Sequence, residues 1–307
     1  MEVAVVHEIG RSPVVATYAP RGSEDMTDAI DVGYDRSEAS WAAVRWAAAE
    51  AVLRDRRLRV ITCDDRFDVA AGTREFAMAT TAAYADVTAE LDQARSLLRA
   101  RQPGLRVESY VLGASCREAL CDESRASEMV VIGSSPRRGA AASWLGSTPR
   151  MVVRHAHSPV VVVRGASTAL ERVVVGIDAS DRATDVLDWA IDEANLHEVP
   201  ISVVHVWEYP YSAIGATNCP ARDLMQVDAD RLLLTAIEYT RERCSSAVEH
   251  ILLEGSPSLC LPNAVRPGDL LVLGSRGRGP MPSGVLGSTV NSVLDEVTVP
   301  VAVVPAG

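Results

Sequence analysis

The chain repeats itself, and this internal repeat constrains the fold more than any other feature of the sequence. Residues 46–51, WAAAEA, match residues 189–194, WAIDEA, at an offset of 143. Residues 145–148, LGST, match residues 286–289, LGST, at an offset of 141. Matching landmarks that follow one another in the same order, with a net slip of two residues, indicate a tandem duplication.

The length of 307 residues suffices for two domains of ordinary size. We predict the first domain over residues 28–165 and the second over residues 171–307, joined by a small, polar linker at 165–169. Residues 1–27 carry turn and coil signals such as Ser12-Pro13, which predict a leader that is extended or partly disordered.

Short apolar runs alternate with helical patterns in both copies. Continuous apolar runs such as residues 173–177, VVVGI, are expected for strands that are buried on both faces. The predicted strands are 30–34, 58–63, 107–112, 129–132 and 160–163 in the first copy, and 173–177, 201–207, 248–253, 270–273 and 299–304 in the second. The predicted helices of the second copy are 183–194, 221–243, 256–265 and 288–295. This alternation predicts an α/β fold of two tandem doubly wound domains, each a five-stranded, mainly parallel sheet with helices on both faces.

Two local details accompany this fold prediction. Residues 178–181, DASD, supply side chains that favour a helix N-cap, so one interpretation of Asp178 is a plain cap for the first helix of the second copy. In the first copy, Asp31 lies inside the first predicted strand, and we therefore expect that strand to be weaker than its counterpart.

The charge balance narrows the range of partners. The chain has 41 acidic and 30 basic residues, a net charge of −11, which argues against a broad nucleic-acid or anionic-membrane surface. No apolar stretch approaches the roughly 20 residues that span a bilayer. The first ten residues carry Glu2, His7 and Glu8 instead of a basic segment followed by an apolar run, so we expect a cytoplasmic protein without a secretory signal.

Cysteine and histidine usage gives little sign of metal or redox chemistry. None of the six cysteines forms a C-x-x-C pair, so free and mostly buried thiols are expected, with a redox role for Cys116 and Cys121 as the alternative. His155 and His157 could pair on a metal, but no further ligands are evident nearby and a structural role is predicted. His205 falls in a predicted buried strand and is expected to be a hydrogen-bonded core histidine.

A glycine-rich segment after the fourth strand of the second copy has the chemistry of a phosphate-binding loop. Gly274 and Gly277 let a ligand approach the backbone closely, and residues 287–289, GST, open a helix whose free N–H groups favour an anion. Arg276 and Arg278 can add positive charge. The Gly-Lys-Ser/Thr ending of a Walker A loop is missing. The alternative is a glycine-rich surface loop followed by a Ser-capped helix.

The order Gly274, two residues, Gly277, nine residues, then Gly287-Ser288 resembles the ATP-binding members of the universal stress protein family. Residues 176–180, 204–206 and 299–301 are similar to landmarks of the same family, and the resemblance covers residues 28–307 in two copies. It implies an adenine nucleotide alpha hydrolase-like fold that binds ATP, often with Mg²⁺. By position, it implies adenosine contacts from Asp178 and Val206, and ribose and phosphate contacts from Gly274, Arg276, Gly277, Gly287, Ser288 and Thr289.

The first copy departs from this pattern. Pro136 stands where Gly277 stands in the second copy, and proline has no backbone N–H and a fixed φ. Ser135 replaces Arg276. The residues that remain as a candidate site are Asp35, Gly133, Gly146, Ser147 and Thr148. We therefore predict that the first copy binds nucleotide weakly or not at all; the alternative is that both sites fill.

The function predicted from these observations is that of an ATP-binding, stress-response regulatory protein with its nucleotide in the second copy. One alternative is a slow ATPase or nucleotidyl-transfer enzyme, although no catalytic base is evident near the expected phosphates. Another is an interaction module that has lost its nucleotide. The resemblance also implies that the last strands of the two copies pair as an intramolecular pseudo-dimer, and two chains could associate further as a homodimer.

Overall fold

The computed structural model describes residues 14–15, 28–63, 89–112, 115–134, 145–165, 169–180, 182–209, 222–277 and 285–305. The chain divides into two compact units: Met1–Ser135 with Gly146–Thr168, and Pro136–Leu145 with Ala169–Gly307. Most of the predicted leader and linker, together with Pro136 and Arg278, lies outside the described residues.

The first unit is built around a parallel sheet in which the described strands follow the order β1-β4-β3-β2-β5-β6. These strands are β1 (Val14–Val15), β2 (Ala29–Gly33), β3 (Arg57–Cys63), β4 (Val107–Leu112), β5 (Met129–Gly133) and β6 (Val160–Val163). The described helices are α1 (Glu38–Leu53), α2 (89–101), α3 (Cys116–Glu123) and α4 (Ser147–His155), with a 3₁₀ turn at Ser124–Ala126. The two-residue strand β1, which pairs with β4, adds to the five predicted strands.

The second unit repeats this topology, with described strands in the order β11-β10-β7-β8-β9, all parallel. Its strands are β7 (Arg172–Ile177), β8 (Ile201–Trp207), β9 (Val248–Glu254), β10 (Asp269–Gly274) and β11 (Val301–Val304). Its helices are α5 (Ala183–His197), α6 (Arg222–Arg243), α7 (Pro257–Ala264) and α8 (Ser288–Glu296). The predicted strands of both copies and the predicted helices of the second copy are confirmed, with ends that shift by at most three residues.

Burial explains why continuous apolar runs became strands. Val173, Val174 and Val175 follow one another along β7, so their side chains point alternately to the two faces of the sheet, and each is fully buried. A strand can bury consecutive side chains only when helices cover both faces of its sheet. Among the described helices, none combines the length and the hydropathy that crossing a bilayer would require.

The carboxylate of Asp31, which we expected to weaken its strand, is paired with an arginine. Asp31 is buried in β2, and its two oxygens accept hydrogen bonds from Nε and Nη2 of Arg59 on β3, at 2.5 and 2.7 Å. The second unit has a similar pair in another place: Arg172 of β7 binds Asp269 of β10, with 2.6 Å between Nη2 and Oδ2. Each pair ties the central strand of its unit, β2 or β7, to a neighbour.

The interpretation of Asp178 as the cap of α5 is wrong. The N-cap of α5 is Arg182, which makes no capping side-chain hydrogen bond. Asp178 instead accepts the N–H of Ser180 at its Oδ1, at 3.0 Å, which is the local turn that aspartate favours. In the first unit the helix begins earlier, because Ser37 accepts the N–H of Ser40 at 3.0 Å and caps α1.

Candidate functional site

In the second unit, the chain builds the sheet outward from β7 on one side and then continues with β10 on the other side of β7. From β7 the chain moves to β8 and β9 on one side, whereas β10 and β11 lie on the other side. Connections leave the carboxyl ends of β7 and β10 in opposite directions, which opens a crevice at that edge. A cavity of about 820 Å³ occupies this place, a volume within the range of small-molecule sites.

The eight candidate residues of the second copy all line this one cavity. They come from the ends of three strands, the loop after β10 and the start of α8. They are Asp178, Val206, Gly274, Arg276, Gly277, Gly287, Ser288 and Thr289. The structure therefore brings the predicted set together, while the contact that each residue makes with a ligand stays a prediction.

The first turn of α8 lies at the cavity, and its backbone N–H groups have no partner within the helix. Its N-cap is Gly287, and no side chain among the described residues caps it. Gly287 itself donates its N–H to the carbonyl oxygen of Ser275, at 3.0 Å. Ser288 and Thr289 are the first two residues of the helix, and N–H groups there have no partner within the helix. The alternative of a Ser-capped helix is wrong, because the capping position belongs to glycine.

Gly277 is held close to the carboxylate of Asp178. A Cβ atom at residue 277 would lie 2.7 Å from Oδ2 of Asp178, which is closer than such atoms approach. The φ angle of Gly277 is not positive, so a larger residue here would meet no backbone strain but would displace the carboxylate of Asp178. Gly287 is less restricted, because the nearest atom to a Cβ there is the Ser275 oxygen at 3.5 Å.

Arg276 provides positive charge at the cavity wall. It is half-buried and forms no ion pair with the described residues. Together with the positive end of the α8 dipole, it makes this side of the cavity suited to an anion. Arg278, the other predicted cation, lies outside the described residues.

The opposite walls come from residues that the sequence analysis did not single out. Helix α6 contributes Met225, Ala229 and Leu232, and α7 contributes Pro257 and Leu261. The spacing of the α6 residues predicts that they share one helix face. Which part of the sheet that face covers depends on how the helix packs, and the sequence pattern does not contain this information.

The prediction that His205 is a hydrogen-bonded core residue is confirmed. It is buried in β8, and its Nδ1 lies 2.9 Å from the carbonyl oxygen of Ile177 at the end of β7. The next residue but one, Trp207, lines the cavity beneath the guanidinium of Arg222, whose carbon lies 5.6 Å from the ring centroid. Arg222 is also paired with Glu254 of β9. These contacts fix the β8 side of the cavity.

The first unit places its five candidate residues at the same edge of its sheet. Asp35 follows β2, is exposed, and accepts the N–H of Ser37 at 3.0 Å. The carboxyl group is nevertheless partly shielded from water, which raises its pKa. Hydrogen bonds from Ser37 and Ser40 outweigh this effect and leave the pKa of Asp35 below its ordinary value. Gly146 is the N-cap of α4, which begins with Ser147 and Thr148.

The space at the end of β5 differs from that at the end of β10. A Cβ atom on Gly133 would lie 2.4 Å from the carbonyl oxygen of Ala39 and 2.7 Å from the nitrogen of Ser40, both in α1. At the equivalent Gly274, the nearest atom is the side-chain Cγ2 of Val186, at 3.1 Å. The backbone of α1 thus lies against the first unit's site, where the second unit has the side chain of Val186 and, slightly farther away, the carbonyl oxygen of Arg276 at 3.4 Å.

Fold and cavity together define a class of protein: tandem doubly wound α/β domains with a ligand cavity at the strand switch point. The model of the universal stress protein family matches residues 26–164 and again residues 169–305. The chain belongs to the universal stress protein family, in its tandem two-domain form.

Similar proteins support this assignment along nearly the whole chain. A universal stress protein of Mycolicibacterium smegmatis is 30% identical over 289 residues, which covers 90% of this chain and 96% of the relative. A universal stress protein of Mycobacterium tuberculosis is 30% identical over 303 residues, covering 89% and 94%. The crystal structure of a universal stress protein from Archaeoglobus fulgidus has a TM-score of 0.65 at 19% identity, covering 92% and 99%, and shows the shared fold.

Proposed function

We propose that this protein is an ATP-binding regulatory protein of the stress response, and that the cavity of the second unit holds the nucleotide. The observation that carries the proposal is the convergence of the Asp178 carboxylate, Arg276 and the uncapped start of α8 on one cavity of about 820 Å³. A nucleotide needs these three elements: an acceptor for hydroxyl or amino groups, a cation, and backbone donors for phosphate.

The cavity also provides an apolar wall for a base. Val206, Met225 and Leu261 line it on the side of β8, α6 and α7. An aromatic base buries a large apolar surface, whereas its sugar and phosphates require polar partners. The base therefore fits toward these side chains, with the phosphates toward residues 287–289. Bound Mg²⁺, which the family resemblance implies, would neutralise phosphate charge, and the hydroxyls of Ser288 and Thr289 lie where they can meet a phosphate or its metal.

The same reasoning supports nucleotide binding in one unit only. The backbone of α1 lies against Gly133, so less room is left for phosphates at the end of β5 than at the end of β10. The first copy also lacks an arginine at the position of Arg276. We propose that the first unit binds nucleotide weakly or not at all.

Extraction and titration test this proposal in the intact chain. Nucleotide would be released from the purified protein by denaturation and quantified by chromatography, and ATP with Mg²⁺ would be titrated calorimetrically into protein freed of it. One ATP per chain is the expected stoichiometry. Two per chain would overturn the asymmetry between the units, and none under either condition would overturn nucleotide binding.

A matched pair of variants locates the site. Asp178→Asn should weaken ATP binding by about tenfold, the effect of losing one charge-assisted hydrogen bond worth about 1.4 kcal/mol. Asp35→Asn, the same change at the equivalent position of the first copy, should leave the affinity unchanged. Equal losses in both variants would contradict a site confined to the second unit.

Hydrolysis is the remaining alternative for this cavity. Phosphate release measured with Mg²⁺ and excess ATP should stay near the uncatalysed rate, because the sequence places no evident general base near the expected phosphates. Turnover well above that rate, lost in Gly277→Ala with the fold intact, would establish an enzyme instead. Pairing of the last strands, association of two chains and a cytoplasmic location stay predictions from the sequence.

A further inference from the structure

The end of β7, from which Asp178 reaches the cavity, depends on one neighbouring strand. Among the described residues, the pairing of β7 with β10 ends at Val175 and Val272. The pairing of β7 with β8 continues two residues further, to Ile177 and His205. The backbone that immediately precedes Asp178 is therefore positioned from the side of β8.

His205 adds a side-chain hydrogen bond to this strand end. It is buried in β8 and lines the cavity, and its Nδ1 lies 2.9 Å from the carbonyl oxygen of Ile177. A carbonyl oxygen accepts hydrogen bonds and does not donate them, so Nδ1 carries the proton. Because this oxygen has two lone pairs, the ring can bind it alongside a bond from the strand ladder. The imidazole thus anchors the residue that precedes Asp178.

The carboxylate of Asp178 is closely confined. Its Oδ1 accepts the N–H of Ser180 at 3.0 Å, and a Cβ atom at residue 277 would lie 2.7 Å from its Oδ2. A group that binds a ligand has to be held within about 0.5 Å of its productive position by the hydrogen bonds that support it. Since Ile177 is the next residue in the chain, its anchored carbonyl provides that support.

The first unit makes the equivalent hydrogen bond with a different side chain. The repeat offset of 143 places Thr62 at the position of His205 and Tyr34 at the position of Ile177, and the strand register agrees. Oγ1 of Thr62 donates to the carbonyl oxygen of Tyr34 at 3.1 Å. In each copy, the anchored residue immediately precedes the candidate aspartate. The two copies therefore share the hydrogen-bond donor, although one uses an imidazole and the other a hydroxyl.

We propose that His205 is a positioning residue for nucleotide binding: its hydrogen bond to the Ile177 carbonyl holds the Asp178 carboxylate where the hydroxyl or amino groups of a nucleotide donate to it. The proposal rests on the nucleotide site proposed above for the second unit. His205 acts through the end of β7, so the hydrogen-bond donor matters and the imidazole ring as such does not.

Two variants separate the donor from the ring. His205→Val removes the donor and should weaken ATP binding by about fivefold, because the Asp178 carboxylate keeps its charge but loses its support. His205→Thr supplies the donor that the first copy uses and should bind ATP within about twofold of the original affinity. Thr62→Val, the matched control in the first copy, should leave the affinity unchanged. Calorimetric titration with ATP and Mg²⁺ measures all three, and an equal loss in both His205 variants would contradict the role of the donor.

A double-mutant cycle shows whether His205 acts through Asp178. In the Asp178→Asn background, His205→Val should weaken ATP binding by less than about twofold more, because the group that it positions has already lost its charge. A purely structural role would lower Tm in both backgrounds and leave the two losses in affinity additive. Direct contact of the ring with the nucleotide would also give additive losses. Additivity would therefore overturn the proposal.

The unaltered protein offers a test that does not depend on the folding of any variant. NMR of the histidine ring nitrogens should show His205 protonated on Nδ1, because the Ile177 carbonyl only accepts. A ring that carries its proton on Nε2 alone would overturn the proposal, whatever the variants show.

Failure of this proposal is distinguishable from failure of the nucleotide site. If the unaltered protein binds no ATP, the proposed function is wrong and the role of His205 falls with it. If the protein binds ATP and Asp178→Asn weakens binding while His205→Val, still folded, does not, only the role of His205 is wrong. A loss in His205→Val that His205→Thr restores, and that Asp178→Asn absorbs, is the result expected.

Discussion

The two units of this protein have the same strand order, yet the edges of their sheets hold different chemistry. In the second unit, β7 and β10 end at a cavity lined by Asp178, Arg276 and the start of α8. In the first unit, the equivalent edge holds the backbone of α1 against Gly133. A duplicated fold has kept its framework while the residues at the strand ends diverged.

The start of the first helix also differs between the two units. Ser37 caps α1, so the helix begins at Glu38. The equivalent helix α5 begins only at Ala183, two residues later by the repeat alignment, and its N-cap Arg182 makes no capping side-chain hydrogen bond. This shift of two residues accompanies the contact of α1 backbone with the end of β5, where the end of β10 meets the side chain of Val186.

The largest effect is expected from breaking the buried ion pairs, which the two units place differently. Asp31→Ala should destabilise the first unit by about 3–5 kcal/mol, because buried Arg59 would lose both hydrogen bonds to Asp31 and keep only Glu123, 3.5 Å from its Nη1, as a charge partner. Asp269→Ala should have a similar effect on the second unit, because Arg172 would lose the carboxylate that it binds. Amide hydrogen exchange read by mass spectrometry reports each unit separately. The exposed Asp185→Ala is the control, and faster exchange in the wrong unit would refute the assignment.

A second comparison concerns the two equivalent glycines. Gly133→Ala should cost about 1–3 kcal/mol, because its Cβ atom meets the backbone of α1, which must move as a whole. Gly274→Ala should cost less than about 1 kcal/mol, since the side chain of Val186 can rotate away. Urea unfolding of both variants measures the difference. Equal costs would show that the two strand ends are not packed differently.

A third variant moves a residue of the first copy into the second. Arg276→Ser should lower the affinity for ATP by about tenfold and weaken its dependence on salt, because a cation that faces the phosphates is lost. Calorimetric titration at two salt concentrations measures both changes. Arg241→Ser, an exposed substitution near the far end of α6, is the matched control. An unchanged affinity would place the phosphates away from Arg276.

The smallest effect is expected for the acid response of Asp35. Its pKa is lowered in the folded protein, so its contribution to stability is present above the ordinary pKa of about 3.8 and is lost as the pH falls through the lower, folded value. Asp35→Asn should therefore reduce the loss of stability of the first unit below about pH 4. Thermal unfolding across an acid pH series checks this, and parallel curves for both proteins would contradict it.

Sequence reasoning predicted the framework because the buried strands are continuous apolar runs. β7 and β10 could be delimited to within a residue, and the alternation with helices implied parallel order. It failed where several residues competed for one role: residues 178–181 offered three capping side chains, yet α5 begins at Ala183 without any of them. Local pattern does not determine which of several possible caps forms.

The candidate site was predictable in part for a similar reason. Its glycines, Arg276 and the start of α8 lie close together in sequence, so their convergence follows from one loop. The pairing of Asp31 with Arg59 depends on the register between separate strands. The charge of Asp31 alone suggested a weak strand, and only the three-dimensional contact gives it a role.

The different positions of the buried ion pairs bear on how the chain avoids mispairing during synthesis. Two copies of one fold on a single polypeptide can exchange strands, and such swapped states are a known failure of tandem repeats. If β7 took the place of β2, Val174 would stand where Asp31 stands, and the guanidinium of Arg59 would be buried opposite an apolar side chain. The exchanged product would separate each buried charge from the partner that it binds most closely, which makes it less stable than the native arrangement. The two ion pairs thus favour the pairing of each central strand within its own sheet.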